Sequence, residues 1–153
     1  MNDVLINPLW ELYYSGKYIM IYDCSKQLKS IAFYKWFGFF DLNDSIFINE
    51  MKLSLKFIKE KKVIVIVADY SGLKPVPQKA MEWAHNNWYP NAYENGLRVE
   101  ANIITGSATT NLSLNRMIKN DQALTGKIRT PLFKTFEEVW QYGVNYLNKK
   151  GDV

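Results

Sequence analysis

The chain has one cysteine and one histidine in 153 residues, and that scarcity removes several chemistries at once. Cys24 has no second cysteine to pair with, so an intramolecular disulfide is excluded and a reducing compartment is the economical setting. Zinc centres need several thiolate or imidazole ligands at fixed spacing. Cys24 and His85 are far apart in sequence, so no structural zinc site is expected. No EF-hand, no P-loop and no Gly-x-Gly-x-x-Gly pattern occurs, and no cofactor is implied. No window approaches the ~20 apolar residues of a membrane span. Residues 1–8 have neither a basic segment nor a long apolar one, so they do not read as a signal peptide. These absences give the expectation of a soluble cytoplasmic protein. There is no internal repeat and no low-complexity segment.

What is present points to a well-cored domain. A chain of this length buries about 70% of its unfolded surface, and 48% of its residues are hydrophobic. The expected organisation is one domain over 1–153, with 1–9 and 149–153 frayed. Aromatics make up 15%, enough for a thick core, a binding groove or a dimer face. The net charge of +4 permits an anionic partner without demanding one. Lys52, Lys56 and Lys59 share a helix stripe with little aromatic interleaving, which reads as a solvated face and not as a nucleic-acid signal.

Residues 63–67 are five consecutive β-branched residues, ending in Ala68 and Asp69. Such a run cannot alternate between core and water, so it reads as a central strand covered on both faces. Residues 18–23 and 30–37 read as a hairpin. Asp41 is expected to cap a helix reaching about residue 61, with Phe47, Met51, Leu55 and Ile58 as its core stripe. Next in the chain are a loop over 70–76, a second helix over about 77–88, a polar stretch over 91–95 and a strand over 97–105. Residues 106–110 read as a small-residue loop and 111–119 as a third helix. Residues 120–129 are the least structured by pattern, and 130–133 form a short last strand. Thr135 and Glu138 form a capping box for a final helix bearing Val139, Tyr142 and Tyr146. The predicted class is α/β, a mixed β-sheet of about five strands flanked by about four helices.

Four segments in this order resemble a known family. They are Trp36-Phe37-Gly38, then the strand ending in Ala68-Asp69. Next come Met81-Glu82-Trp83 with Trp88-Tyr89-Pro90-Asn91-Ala92 and Glu94-Asn95-Gly96-Leu97, and finally Thr135-Phe136-Glu137-Glu138-Val139-Trp140. Together, over about residues 10–148, they are similar to the SpoIIAA-like group of bacterial proteins, which share the STAS-domain fold of anti-sigma factor antagonists. The resemblance implies a mixed sheet flanked by helices and no established activity. It also implies a phosphorylatable serine near residues 75–78, where this chain has none. Ser71, within Asp69-Tyr70-Ser71-Gly72-Leu73, is out of place for that role, which argues against a phosphoswitch.

No nucleophile–base pair stands out, so no catalytic residue is assigned and no enzyme is expected. His85 would need a pocket and an orienting partner, for which Glu82 is in helical reach. Its default reading is a packed or surface histidine. Cys24 reads as an inert, half-buried thiol. The candidate ligand- or partner-binding residues are Asp69, Tyr70, Ser71 and Lys74 at the strand exit; Trp83, Trp88, Tyr89 and Tyr93 around the second helix; and Ser107 and Thr109 in the small-residue loop, where backbone N–H groups can cradle an anion. The leading expectation is a non-enzymatic domain that binds a protein partner or a second copy of itself. The second is a small-ligand protein with an apolar or anionic pocket between the second helix and the sheet edge.

Overall fold

The computed structural model describes residues 7–104, 107–124 and 127–151. Among them, six strands form one mixed sheet in the order β1-β2-β3-β4-β5-β6. They are β1 (Glu11–Ser15), β2 (Ile19–Asp23), β3 (Ile31–Gly38), β4 (Val65–Leu73), β5 (Val99–Ile103) and β6 (Leu132–Phe133). The first three pair antiparallel, and from β3 onward every pairing is parallel. The helices are α1 (Ser45–Lys61), α2 (Gln78–Trp83), α3 (Tyr89–Glu94), α4 (Ala108–Leu124) and α5 (Phe136–Gly151). A π-helical turn, Ala84–Trp88, joins α2 to α3 without a break, so four helical bodies flank the sheet. None of the described helices is long and apolar enough to cross a membrane.

Side-chain alternation along β4 explains the two-sided core. Ile66, Ala68 and Tyr70 pack with α1, α2, α3 and α4, while Val65 and Val67 pack on the opposite face with Trp10 and Val139 of α5. Burying each large apolar side chain is worth about 1.5–3 kcal/mol, so a strand used on both faces contributes twice. α5 lies close to the sheet because Gly143 has no side chain. A Cβ there would come within 3.1 Å of Val65 Cγ1 and 3.3 Å of Ile31 Cδ1. Its start is the expected capping box: Glu138 N donates to Thr135 Oγ1 at 3.2 Å, and Thr135 N donates to Glu138 Oε1 at 3.2 Å.

The structure corrects several boundaries. The sheet has six strands, because β1 joins the expected hairpin as an edge strand; its residues are mostly exposed and carry no alternation. Asp41 does not cap α1. Its carboxylate accepts from Asn43 N in a turn, and Asp44 is the cap, accepting from Ile46 N at 2.9 Å. β4 does not end at Asp69 but continues to Leu73 through an irregularity, where Lys35 pairs with Asp69 and Phe37 with Gly72. The Asp69 carboxylate accepts from Ser71 N at 2.8 Å and so stabilises this bulge. The second helical body does not stop at Trp88. Tyr89 N donates to Ala84 O across the widened π turn, and Pro90, which lacks an N–H and would crowd a regular helix, sits just beyond it. α4 begins at Ala108, inside the expected loop, and extends through Leu124 into the stretch read as unstructured. Thr105, Gly106, Thr125 and Gly126 of those segments lie outside the described residues, as do residues 1–6, 152 and 153.

One long-range clamp ties the hairpin to the helical layer. Glu50 of α1 is 3% exposed and accepts from Tyr14 Oη at 2.6 Å, Lys17 N at 2.9 Å and Tyr18 N at 2.7 Å. Gly16 makes room for it, since a Cβ there would fall on the Glu50 carboxylate. Asp44, beside it, takes Lys17 Nζ at 2.6 Å and Tyr18 Oη at 2.5 Å. The Lys17, Tyr18 and Ile46 contacts pull its carboxyl down to about 2.

Candidate functional site

The carboxyl end of β4 leads into Pro75 and Val76, and Pro77 then starts α2 with extended backbone. Val76 N donates to Ser113 Oγ of α4 at 2.9 Å, which pins this exit to the neighbouring helix. α4 is itself capped by Ser107, whose Oγ accepts from Thr110 N at 3.2 Å. α2 and α4 therefore run out from adjacent parallel strands with a gap between them, and an open groove of about 520 Å³ fills that gap. Gln78, Met81, Glu82 and His85 line one wall, at i, i+3, i+4 and i+7 of one helix face. Thr109, Leu112, Ser113 and Arg116 line the other with the same spacing. In parallel α/β sheets this strand edge is where ligands meet the fold.

Apolar side chains (Pro75, Val76, Met81, Leu112) and polar ones share the groove lining. His85 Nε2 is shielded from solvent and has no hydrogen-bond partner among the described residues. Glu82 Oε2 accepts from Gln78 Nε2 at 3.3 Å. No hydrogen bond joins Glu82 to His85 among the described residues, so the orienting partner considered from sequence does not engage.

A second constellation lies beneath the π turn. Glu100 of β5 points into the helix-covered face at 1% exposure and accepts from Tyr89 Oη at 2.8 Å and Tyr70 Oη at 3.0 Å. Burial pushes its carboxyl up to about 7, and the two hydroxyl donors only partly offset this. Around it Trp36, Trp88 and Phe47 bound a void of about 30 Å³, enough for about one water molecule. Trp36 Nε1 is buried there without a hydrogen-bond partner among the described residues.

The residues singled out from sequence are dispersed. Thr109 lies in the groove. Ser107 supports it from the α4 cap. Tyr70 and Tyr89 meet at Glu100. Trp88 is a core residue whose Nε1 donates to Ser54 Oγ at 2.9 Å, and Trp83 packs edge-on to Phe47. Tyr93 lies under the Arg98 guanidinium, 3.9 Å from ring centroid to Cζ, away from the groove. Asp69 is buried in its bulge, and Ser71 and Lys74 are exposed. Cys24 is fully buried, with its thiol pushed up by burial and by Asp23. Sequence reasoning missed Gln78, Ser113, Arg116 and Glu100. The matching i, i+3, i+4, i+7 faces of α2 and α4 were readable, but nothing in one sequence says that two such faces oppose each other. Compared with protein-family models and with curated proteins, the chain matches none.

Proposed function

We propose that the chain is a non-enzymatic binding domain of the STAS-like kind, and that its working surface is the groove between α2 and α4, which takes a small polar ligand. The two facing helix faces carry the reading: Gln78, Met81, Glu82 and His85 on α2 and its π turn and Thr109, Leu112, Ser113 and Arg116 on α4 enclose one groove. The volume falls within the range of about 300–1,000 Å³ common for small-molecule sites. Support for the STAS-like kind comes from an antiparallel start leading into parallel β-α units, together with the four sequence segments that resemble the SpoIIAA-like group. The test is native mass spectrometry of freshly purified, untagged protein beside a Thr109→Trp variant that fills the groove. An additional mass on the parent protein and none on the variant supports the reading; equal additional mass on both refutes it.

A second reading, binding of a protein partner or a second copy, rests on β1. This strand has no neighbour on its outer edge among the described residues, and Leu12 is 54% and Tyr13 39% exposed. Edge strands of this kind pair readily with other chains. Sedimentation velocity of the parent and of Leu12→Lys distinguishes it: a dimer lost in the variant favours pairing through β1, and a monomer in both removes self-pairing.

A further inference from the structure

The groove's charges are divided between its walls. Glu82 stands on the α2 wall and Arg116 on the α4 wall, both exposed, with the His85 imidazole beside Glu82. Opposite charges on facing helices usually close on each other. Here no ion pair joins them among the described residues, and no hydrogen bond or ion pair among those residues holds the Arg116 guanidinium. A simple anion would meet Arg116 and be opposed by Glu82; a simple cation would meet the reverse. A ligand carrying both signs satisfies both walls, and the guanidinium fork suits a carboxylate.

We propose that the groove recognises a zwitterion of amino-acid or dipeptide size, with its carboxylate on Arg116 and its ammonium on Glu82. This rests on the groove being a ligand site. Leu112, Met81 and Val76 supply apolar surface for a side chain, while Ser113 is already engaged by Val76 N and shapes the floor. Electrostatic matching of this kind gives selectivity more than raw affinity, because a ligand of single charge leaves one wall opposed.

The experiment is a ¹⁵N–¹H NMR titration of the full chain with glycine, β-alanine, 4-aminobutyrate, glycylglycine and pooled L-amino acids. Acetate, methylammonium and inorganic phosphate serve as single-charge probes at matched ionic strength. The expected result is a saturable shift of the Val76, Thr109 and Ser113 amides by a zwitterion and by no single-charge probe. Arg116→Gln and Glu82→Gln should each weaken binding at least about tenfold, and with both side chains exposed their thermal melts should match the parent. Saturation by acetate or phosphate with unchanged affinity in Glu82→Gln overturns the zwitterion, as does saturation by methylammonium with unchanged affinity in Arg116→Gln; either leaves the groove standing as a ligand site. Silence of the groove amides to every probe also overturns it, and the Thr109→Trp mass comparison then decides the groove separately.

Discussion

Glu100 should make the protein less stable as the solution becomes more basic, opposite to the trend set by most carboxylates. Its folded carboxyl sits at about 7 against an ordinary 4.5, so the native state holds a proton that the unfolded chain releases. The associated stability is fully present below pH 4.5 and is lost as pH rises through about 7. That gap, at about 1.4 kcal/mol per pH unit, amounts to about 3 kcal/mol. The group is buried, so solvent does not screen it away. In a chain of this size about 3 kcal/mol corresponds to roughly 6–12 °C in Tm. Glu100→Gln keeps the shape, keeps an acceptor for one tyrosine and a donor for the other, and cannot ionise. Thermal melts of both proteins at pH 5, 6, 7 and 8 make the comparison, and subtraction removes groups common to both. Part of the associated stability is already lost at pH 5, so the Tm difference, variant minus parent, should climb by roughly 5–10 °C between pH 5 and pH 8. A flat difference would refute the claim that burial raises the Glu100 carboxyl in the native core.

The other expectations concern packing and caps. Gly16→Ala should destabilise by about 1–3 kcal/mol, because its Cβ meets the Glu50 carboxylate. In a Glu50→Ala background the same change should cost less, a coupling read from a urea double-mutant cycle. Asp44→Asn should lower the urea midpoint at pH 7 by removing the charge that holds Lys17 and Tyr18. The parent's share of that stability is present above pH 3.8 and lost as pH falls through about 2, so the two midpoints should converge on acidification. Gly143→Ala should lower stability by about 1–3 kcal/mol, by wedging α5 off Val65 and Ile31, measured by chemical denaturation. Deleting Asn87 together with Pro90→Ala should leave a cooperative circular-dichroism melt, because it closes the π turn into a regular helix and keeps α3 in its present rotation. Deleting Lys56 from α1 should not, since it turns half of a buried face by about 100°.

Legibility in the sequence tracked burial. The 63–69 run was readable because five β-branched residues leave one environment that suits them, and the Thr135–Glu138 box because its chemistry is local. β1 was not readable: an edge strand has one neighbour, and its residues face water. The bulge beyond Asp69 was hidden because Gly72 reads as a chain break when it is in fact paired to Phe37. Of the groove, the sequence yielded Thr109 as a candidate and Glu82 and His85 as residues to weigh, all from local pattern. Arg116 and Ser113 lie on the facing wall, a whole strand and helix further along the chain than His85, and their nearness is a product of the crossover between β4, β5 and β6. Glu100 stayed invisible because it falls on the polar side of the alternating Val99-Glu100-Ala101-Asn102-Ile103, a pattern that reads as facing water, whereas the helices cover that side.

The π turn is what lets one helical body serve both the groove and the core. At about 100° per residue, an unbroken α-helix from Gln78 would put Tyr89, four residues after His85, on the groove face. Asn87 and Asn91 would then fall in phase with buried Ala80. The observed arrangement is the reverse: Trp88, Tyr89 and Ala92 are buried, while Asn87 and Asn91 are exposed and donate to Trp83 O and Asn87 O. One extra residue in the turn therefore sends Tyr89 to Glu100 and leaves His85 over the groove. It also accommodates Pro90, which a regular helix would tolerate only at about 3 kcal/mol. The buried carboxylate and the groove histidine are thus held by the same irregularity. Any change that regularises the helix while keeping its length must move both: Tyr89 leaves Glu100 without one of its two donors, and Asn87 enters the core.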